Sequence, residues 1–133
     1  MIVIDANVIA YLLIKGDYTV KARKLLKKDV EWVAPQLWRS EFRNVLTTYV
    51  RNEYFNLSQA FFLMKKAEEL MKGGEYIVYS KDVIELSTES GCSAYDCEYV
   101  ALAKDLSVNL YTTDRKLVKS FPDIVHNLDD IIL

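Results

Sequence analysis

The sequence predicts an α/β fold: a mostly parallel sheet of about five strands, covered by helices on both faces, with a helical hairpin inserted between the second and third strands. Three observations predict it. Short apolar runs alternate with segments of helical period, as in successive βα units. The first run, Ile2-Val3-Ile4, is apolar at every position, which suits a strand buried on both faces. The stretch 36–72 breaks the alternation, with two helical patterns and no strand between them.

Each element has its own local reason. Strand 2–4 stops on Asp5, and a helix over 8–14 follows, with Asp5 or Asn7 available as its N-cap. A helix over 19–28 precedes the second apolar run, 31–34. Pro35 then opens the helix 36–52, in keeping with the preference for proline at helix starts. Ser58 is placed to cap the helix 58–72, which stops at Gly73-Gly74. The third strand is read at 75–79, followed by helices over 82–90, ending at Gly91, and 93–105. Strands at 109–112 and 123–127 complete the sheet. No repeat, low-complexity segment or linker interrupts the chain. Its 133 residues are read as one domain, 1–133.

Composition narrows the chemistry. Hydrophobic residues make up 51% and charged residues 27%, as in an ordinary soluble protein. No apolar run is long enough to span a bilayer and no signal peptide precedes the first strand, so a cytoplasmic location with no membrane partner is expected. The net charge of −2 gives no global basic field. Lys15, Lys21, Arg23, Lys24, Lys27 and Lys28 form one basic stretch; Arg39, Arg43 and Arg51 form another. Solvated helix faces explain these as well as a nucleic-acid surface does. The two cysteines, Cys92 and Cys97, cannot make a four-ligand zinc site and read as buried small hydrophobes. The single histidine, His126, lies in an apolar run and reads as a sheet-edge residue. One histidine excludes H-E-x-x-H chemistry, and no G-x-S-x-G elbow, G-x-G-x-x-G or P-loop is present.

What remains is acidic. In open α/β sheets, ligands bind outside the carboxyl ends of the strands. Asp5 follows strand one and Asp114 follows strand four, in NLYTTD. On the helix 36–52, Glu41 is four residues from both Leu37 and Val45 and shares their apolar stripe. Asp96 likewise precedes Val100 by four, although Ser93-Ala-Tyr-Asp96 also has the form of a capping box. Glu68, Glu69, Asp29, Glu85 and Glu89 instead sit where solvent accounts for them. Four carboxylates converging without a cation would raise one another's pKa values. A hard divalent cation, Mg²⁺ or Mn²⁺, removes that burden with oxygen ligands alone. The chemistry that follows is water activation and charge neutralisation on a phosphodiester. Asn7, Thr112 and Thr113 are short polar groups beside these acids, and Arg115 and Lys116 are placed to hold substrate phosphate.

Neighbouring chemistries fit less well. A haloacid-dehalogenase-like phosphatase needs a second Asp where this chain has Asn7. A receiver-type phospho-acceptor needs an Asp after strand three, which ends Tyr79-Ser80.

The opening IDAN, the Ser40-Glu41 pair, the S-A-Y-D ending at Asp96 and T-T-D-R-K-L at 112–117 together resemble a PIN domain, and among PIN domains the VapC-type toxins. The resemblance spans essentially the whole chain. It implies a Rossmann-like sheet in the order 3-2-1-4-5. It places the family's acidic quartet, both catalytic and metal-holding, on Asp5, Glu41, Asp96 and Asp114, with Asn7 and Thr112 beside it. It also implies Mg²⁺- or Mn²⁺-dependent cleavage of RNA, single-stranded or structured, homodimerisation, and inhibition by an antitoxin protein. PIN-domain RNA-processing nucleases without an antitoxin are the alternative, as is a catalytically silent RNA- or protein-binding module.

Overall fold

The computed structural model describes residues 1–131 of the 133; the last two positions of the expected domain lie outside the described residues. Its centre is β1 (Ile2–Ile4). All three β1 side chains are buried, and Val3 and Ile4 are fully so. Successive strand residues face opposite sides of a sheet, so both faces are covered here. β1 pairs in parallel with β2 (Trp32–Pro35) on one side and β4 (Leu110–Thr112) on the other. β3 (Glu75–Tyr76) and β5 (Val125–Asn127) complete a five-stranded parallel sheet in the order β3-β2-β1-β4-β5. Fold class and strand order are those expected.

The helices are α1 (Ala6–Leu13), α2 (Thr19–Lys28), α3 (Leu37–Arg51), α4 (Leu57–Leu70), α5 (Ser80–Ser90), α6 (Ala94–Leu106) and α7 (Arg115–Ser120). α3 and α4 form the expected hairpin between β2 and β3. Trp38, Phe42 and Leu46, spaced by four, are its buried stripe. Arg39 pins the hairpin to the sheet edge, bonding both oxygens of Glu75 at 2.7 Å and Glu68 at 2.6 Å. Glu68 is therefore a partner in an ion pair and is not explained by solvent alone. Arg39 and Lys21, which pairs with Asp129 at 3.4 Å, are correspondingly removed from any free basic surface.

Several boundaries differ from expectation, for local reasons. Helix α1 begins at Ala6 because Asp5 is the cap. Helix α4 is capped by Asn56 and not by Ser58; Asn56 and Gln59 exchange side-chain-to-backbone bonds in a full capping box. β3 stops at Tyr76 because its only neighbour, β2, ends at Pro35 and turns into α3; the last bond across is Gln36 N–H to the Tyr76 carbonyl. Ile77 and Tyr79, expected in the strand, are exposed. β5 begins two residues late because Ile124 and Val125 donate to the Phe121 carbonyl in the turn after α7. Helix α7 was not expected: six residues are too few to display a helical period.

Both cysteines are free and buried, and His126 on the edge strand packs against Tyr111 with the rings tilted and their centroids 5.5 Å apart. Of the hairpin aromatics, Trp38 and Phe42 are core and Tyr49 stacks on Phe55 at 4.9 Å, whereas Tyr54, Phe61 and Phe62 are exposed. Among the described residues, no helix is long and apolar enough to cross a membrane.

Candidate active site

The strand order sets the site. From β1 the chain moves outward to β2 and β3, then crosses back to β4 on the other side of β1. A crevice opens at such a switch point, outside the carboxyl ends of β1 and β4. Asp5 and Asp114 stand there, each as the N-cap of the helix that follows its strand.

Asp5 is held at both oxygens. Oδ1 accepts the Asn7 backbone N–H at 3.0 Å, and Oδ2 accepts the Thr112 hydroxyl at 2.8 Å. The cap reading of Asp5 holds for Oδ1, while Oδ2 is turned to the Thr112 hydroxyl. Thr112 is fully buried, and its Oγ1 also accepts the backbone N–H of Asp114 at 3.1 Å. Oδ1 of Asp114 in turn accepts the Leu117 N–H at 3.1 Å. One buried hydroxyl thus ties together the loops that carry two of the acids.

Asp96 enters from the first turn of α6, where Ser93 accepts its backbone N–H at 3.1 Å. Glu41 enters from α3, at the half-buried edge of the apolar stripe. Its Oε1 accepts the Tyr99 hydroxyl at 2.5 Å. Tyr99 did not stand out in the sequence. The available signal was its position three residues after Asp96, which places it on the same side of α6.

Burial raises the carboxyl pKa of Asp5, and the charges of Asp96 and Asp114 push it further, against the bonds from Asn7 and Thr112. Glu41 is raised first by burial, then by the charges of Asp5, Asp96 and Glu98, with the Tyr99 bond opposing. Asp96 is raised by burial and by Asp114, and Lys116 partly offsets this. The four acids therefore feel one another, as converging carboxylates must. They do not form a ready-made cage: among the described residues, no three acidic, histidine or cysteine side chains are grouped closely enough to hold a metal ion. Asp5 accepts from Asn7 and Thr112, Asp114 from Leu117 and Glu41 from Tyr99, so each of these three carboxyl groups already has a local donor. The donor set still fits a hard divalent cation, being oxygen only, with carboxyl groups that burial and mutual charge keep under strain.

The remaining expected residues lie around this crevice. Asn7 is exposed at its mouth, and Thr113 is half-buried, its hydroxyl 2.9 Å from that of Tyr11. Arg115 is exposed on the first turn of α7, near enough to Tyr18 for its charge to act on that phenol. Lys116 bonds the Gly91 carbonyl at 3.1 Å. Beside the acids a groove of about 450 Å³ runs between α1 and α3, with Asn7, Tyr11, Tyr18, Asn44 and Tyr49 on its walls.

A five-stranded parallel sheet flanked by helices, with acids at the carboxyl ends of β1 and β4, defines an open α/β fold whose candidate ligand crevice is at the switch point. Residues 2–120 match the PIN domain family model, and the chain belongs to that family. It is 28% identical over 127 residues to Ribonuclease VapC3 of Pyrobaculum aerophilum, a match covering 93% of this chain and 97% of that protein. The crystal structure of PAE2754 from Pyrobaculum aerophilum superposes with a TM-score of 0.75 at 20% identity, covering 96% of this chain and 83% of that one. A toxin–antitoxin complex from Klebsiella pneumoniae matches at 0.68 and 15% identity, covering 98% of this chain and all of its counterpart. These two structural likenesses speak for the fold.

Proposed function

We propose that this chain, as a single PIN unit, is a divalent-metal-dependent endoribonuclease and the toxin of a type II toxin–antitoxin pair. The observation that carries the nuclease reading is the gathering of Asp5, Glu41, Asp96 and Asp114 at the switch point, with three of the four carboxyl groups raised by burial and by mutual charge. Family membership and the name of the VapC3 relative support RNA as substrate. The toxin–antitoxin complex among the structural neighbours supports an antitoxin partner. A second copy of the chain and a cytoplasmic location complete the reading.

Asp5, Glu41, Asp96 and Asp114 would hold Mg²⁺ or Mn²⁺. When bound, such a cation supplies acidified water and offsets the charge that builds on a phosphodiester. The chain's own groups do the rest. Thr112 keeps Asp5 and the Asp114 loop in register. Asn7 and Thr113 offer short polar contacts at the mouth, and exposed Arg115 meets substrate phosphate.

The test is incubation of single-stranded RNA with the protein, in Mn²⁺, in Mg²⁺ and in EDTA. Cleavage is expected with either cation and none with chelator; undiminished cleavage in EDTA would overturn the metal mechanism. Growth arrest on expression, relieved by the product of a neighbouring short reading frame, would separate a toxin from an RNA-processing nuclease.

A further inference from the structure

We propose that Tyr99 is a positioning residue for the acid site: its hydroxyl tethers one oxygen of Glu41 so that the other is presented to a divalent cation. The inference rests on the metal-site reading above.

Tyr99 is only 2% exposed, and its ring belongs to the core. A buried tyrosine needs a partner for its hydroxyl, and many partners would satisfy it. Here the partner is a carboxylate of the site itself, Glu41 Oε1, at 2.5 Å. A hydroxyl bonded to an ionised carboxylate at that length is among the stronger hydrogen bonds a protein makes. The same phenolic oxygen lies within electrostatic reach of the Ala6 backbone amide, next to Asp5. One hydroxyl thus sits where α6, α3 and the end of β1 meet.

Glu41 needs such a tether. Unlike Asp5 and Asp114, it is not at a helix N-terminus, and no backbone N–H holds its carboxylate among the bonds described. It has the longest side chain of the four, stands at the half-buried edge of α3, and is repelled by Asp5 and Asp96. Left free, it would rotate towards water. Tyr99 comes from α6, the helix that supplies Asp96 three residues earlier, so one helix delivers one acid and orients another. Groups that orient metal ligands commonly change metal affinity about 10–100-fold when removed.

The experiment is Mn²⁺ binding, read by the electron paramagnetic resonance of free Mn²⁺, on the parent, Tyr99→Phe, Glu41→Gln and the double variant, with circular dichroism in EDTA to confirm folding. Tyr99→Phe is expected to weaken Mn²⁺ binding about tenfold or more. In the Glu41→Gln background the same change is expected to do nothing further, because a positioning residue acts through the group it positions. A purely structural tyrosine would lower melting temperature and leave Mn²⁺ affinity alone. Unchanged affinity in Tyr99→Phe, or an equal loss in both backgrounds, would overturn the proposal. Glu41→Asp, which keeps the charge but withdraws it from the phenol, should show a similar loss. Parent-like binding there would also overturn it, even if Tyr99→Phe failed to fold. A parent that binds no Mn²⁺ would overturn the metal site together with its tether, and that result is distinct from the others.

Discussion

Thr112 donates its hydroxyl to Asp5 across 107 positions of sequence, at 2.8 Å, while accepting the backbone N–H of Asp114. Two acids that the chain delivers from opposite ends are held in register by one buried oxygen. Replacing Thr112 by Val keeps the shape and deletes that oxygen. The Asp114 N–H is then left without its acceptor and Asp5 without its donor. Loss of about 1–3 kcal/mol of stability is expected, the cost of a buried polar group left unpaired, together with a large loss of RNA cleavage. Chemical denaturation and a cleavage assay measure the two. A Thr112→Val protein as active as the parent would show that the tie does not matter to the site.

Replacing Asp5, Glu41 or Asp96 by its amide should reduce turnover by orders of magnitude while circular dichroism stays unchanged. Glu89→Gln is the control, since Glu89 is exposed and belongs to no ion pair among the described residues. Arg115→Ala should weaken RNA binding and leave cation affinity intact. Equal behaviour of Glu89→Gln and the three acids would show that the crevice is not where cleavage occurs.

Asp96 allows a cap to be separated from a ligand. Its carboxylate stands in the first turn of α6, where a negative charge is worth about 0.3–1 kcal/mol, yet burial and Asp114 raise its pKa. If repulsion dominates, Asp96→Asn in EDTA should melt no lower than the parent. Cation binding to the native state alone adds roughly 2.7 kcal/mol at a hundredfold excess over the dissociation constant, so the parent should gain melting temperature with Mn²⁺ and Asp96→Asn should gain much less. Four melts decide it. Identical Mn²⁺ shifts in both proteins would assign Asp96 to the helix and not to the cation.

The same charges set a pH dependence. Asp5, Glu41 and Asp96 are raised above the ordinary 3.8 of Asp and 4.5 of Glu. In the window above those values the folded chain retains protons that the unfolded chain has released. Stability of the cation-free protein therefore falls as pH rises through that window, and the penalty is complete only above the raised folded values. Glu75 acts in the opposite sense. Arg39 lowers its pKa, so its contribution is complete above 4.5 and is lost as pH falls through its lowered folded value. The melting temperature in EDTA should therefore peak on the mildly acidic side and decline as pH rises through the window of the raised carboxyl groups. Asp5→Asn should flatten that decline. A curve rising steadily from pH 5 to neutrality would contradict the arrangement of charges.

Gly74 tests the sheet edge. A Cβ there would lie 2.4 Å from the Trp32 carbonyl oxygen, and the Gly74 carbonyl accepts the Ala34 N–H at 2.9 Å. Backbone cannot swing aside as a flexible side chain would. Gly74→Ala should therefore cost about 1–3 kcal/mol, as overpacking does, by forcing β2 and β3 apart. Equilibrium unfolding reads it, and an unchanged midpoint would show that the edge opens freely.

The sequence by itself determined the α/β class, the hairpin at 36–72, and the display of Asp5 and Asp114 at strand ends. These follow from local rules: apolar period, capping chemistry, and the side-chain direction that a helix or strand imposes. It also set Glu41 and Asp96 on half-apolar faces, because a face is a matter of spacing. The PIN resemblance, carried by the residues around those acids, supplied the strand order 3-2-1-4-5. Other features needed the packed molecule. The end of β3 at Tyr76 depends on where its neighbour runs out of backbone, and α7 on a cap within a loop. The bond from Thr112 to Asp5 spans 107 positions and that from Tyr99 to Glu41 spans 58. Periodicity assigns a side chain to a face, but its partner is chosen only when helices and strands far apart in the chain come to rest against one another.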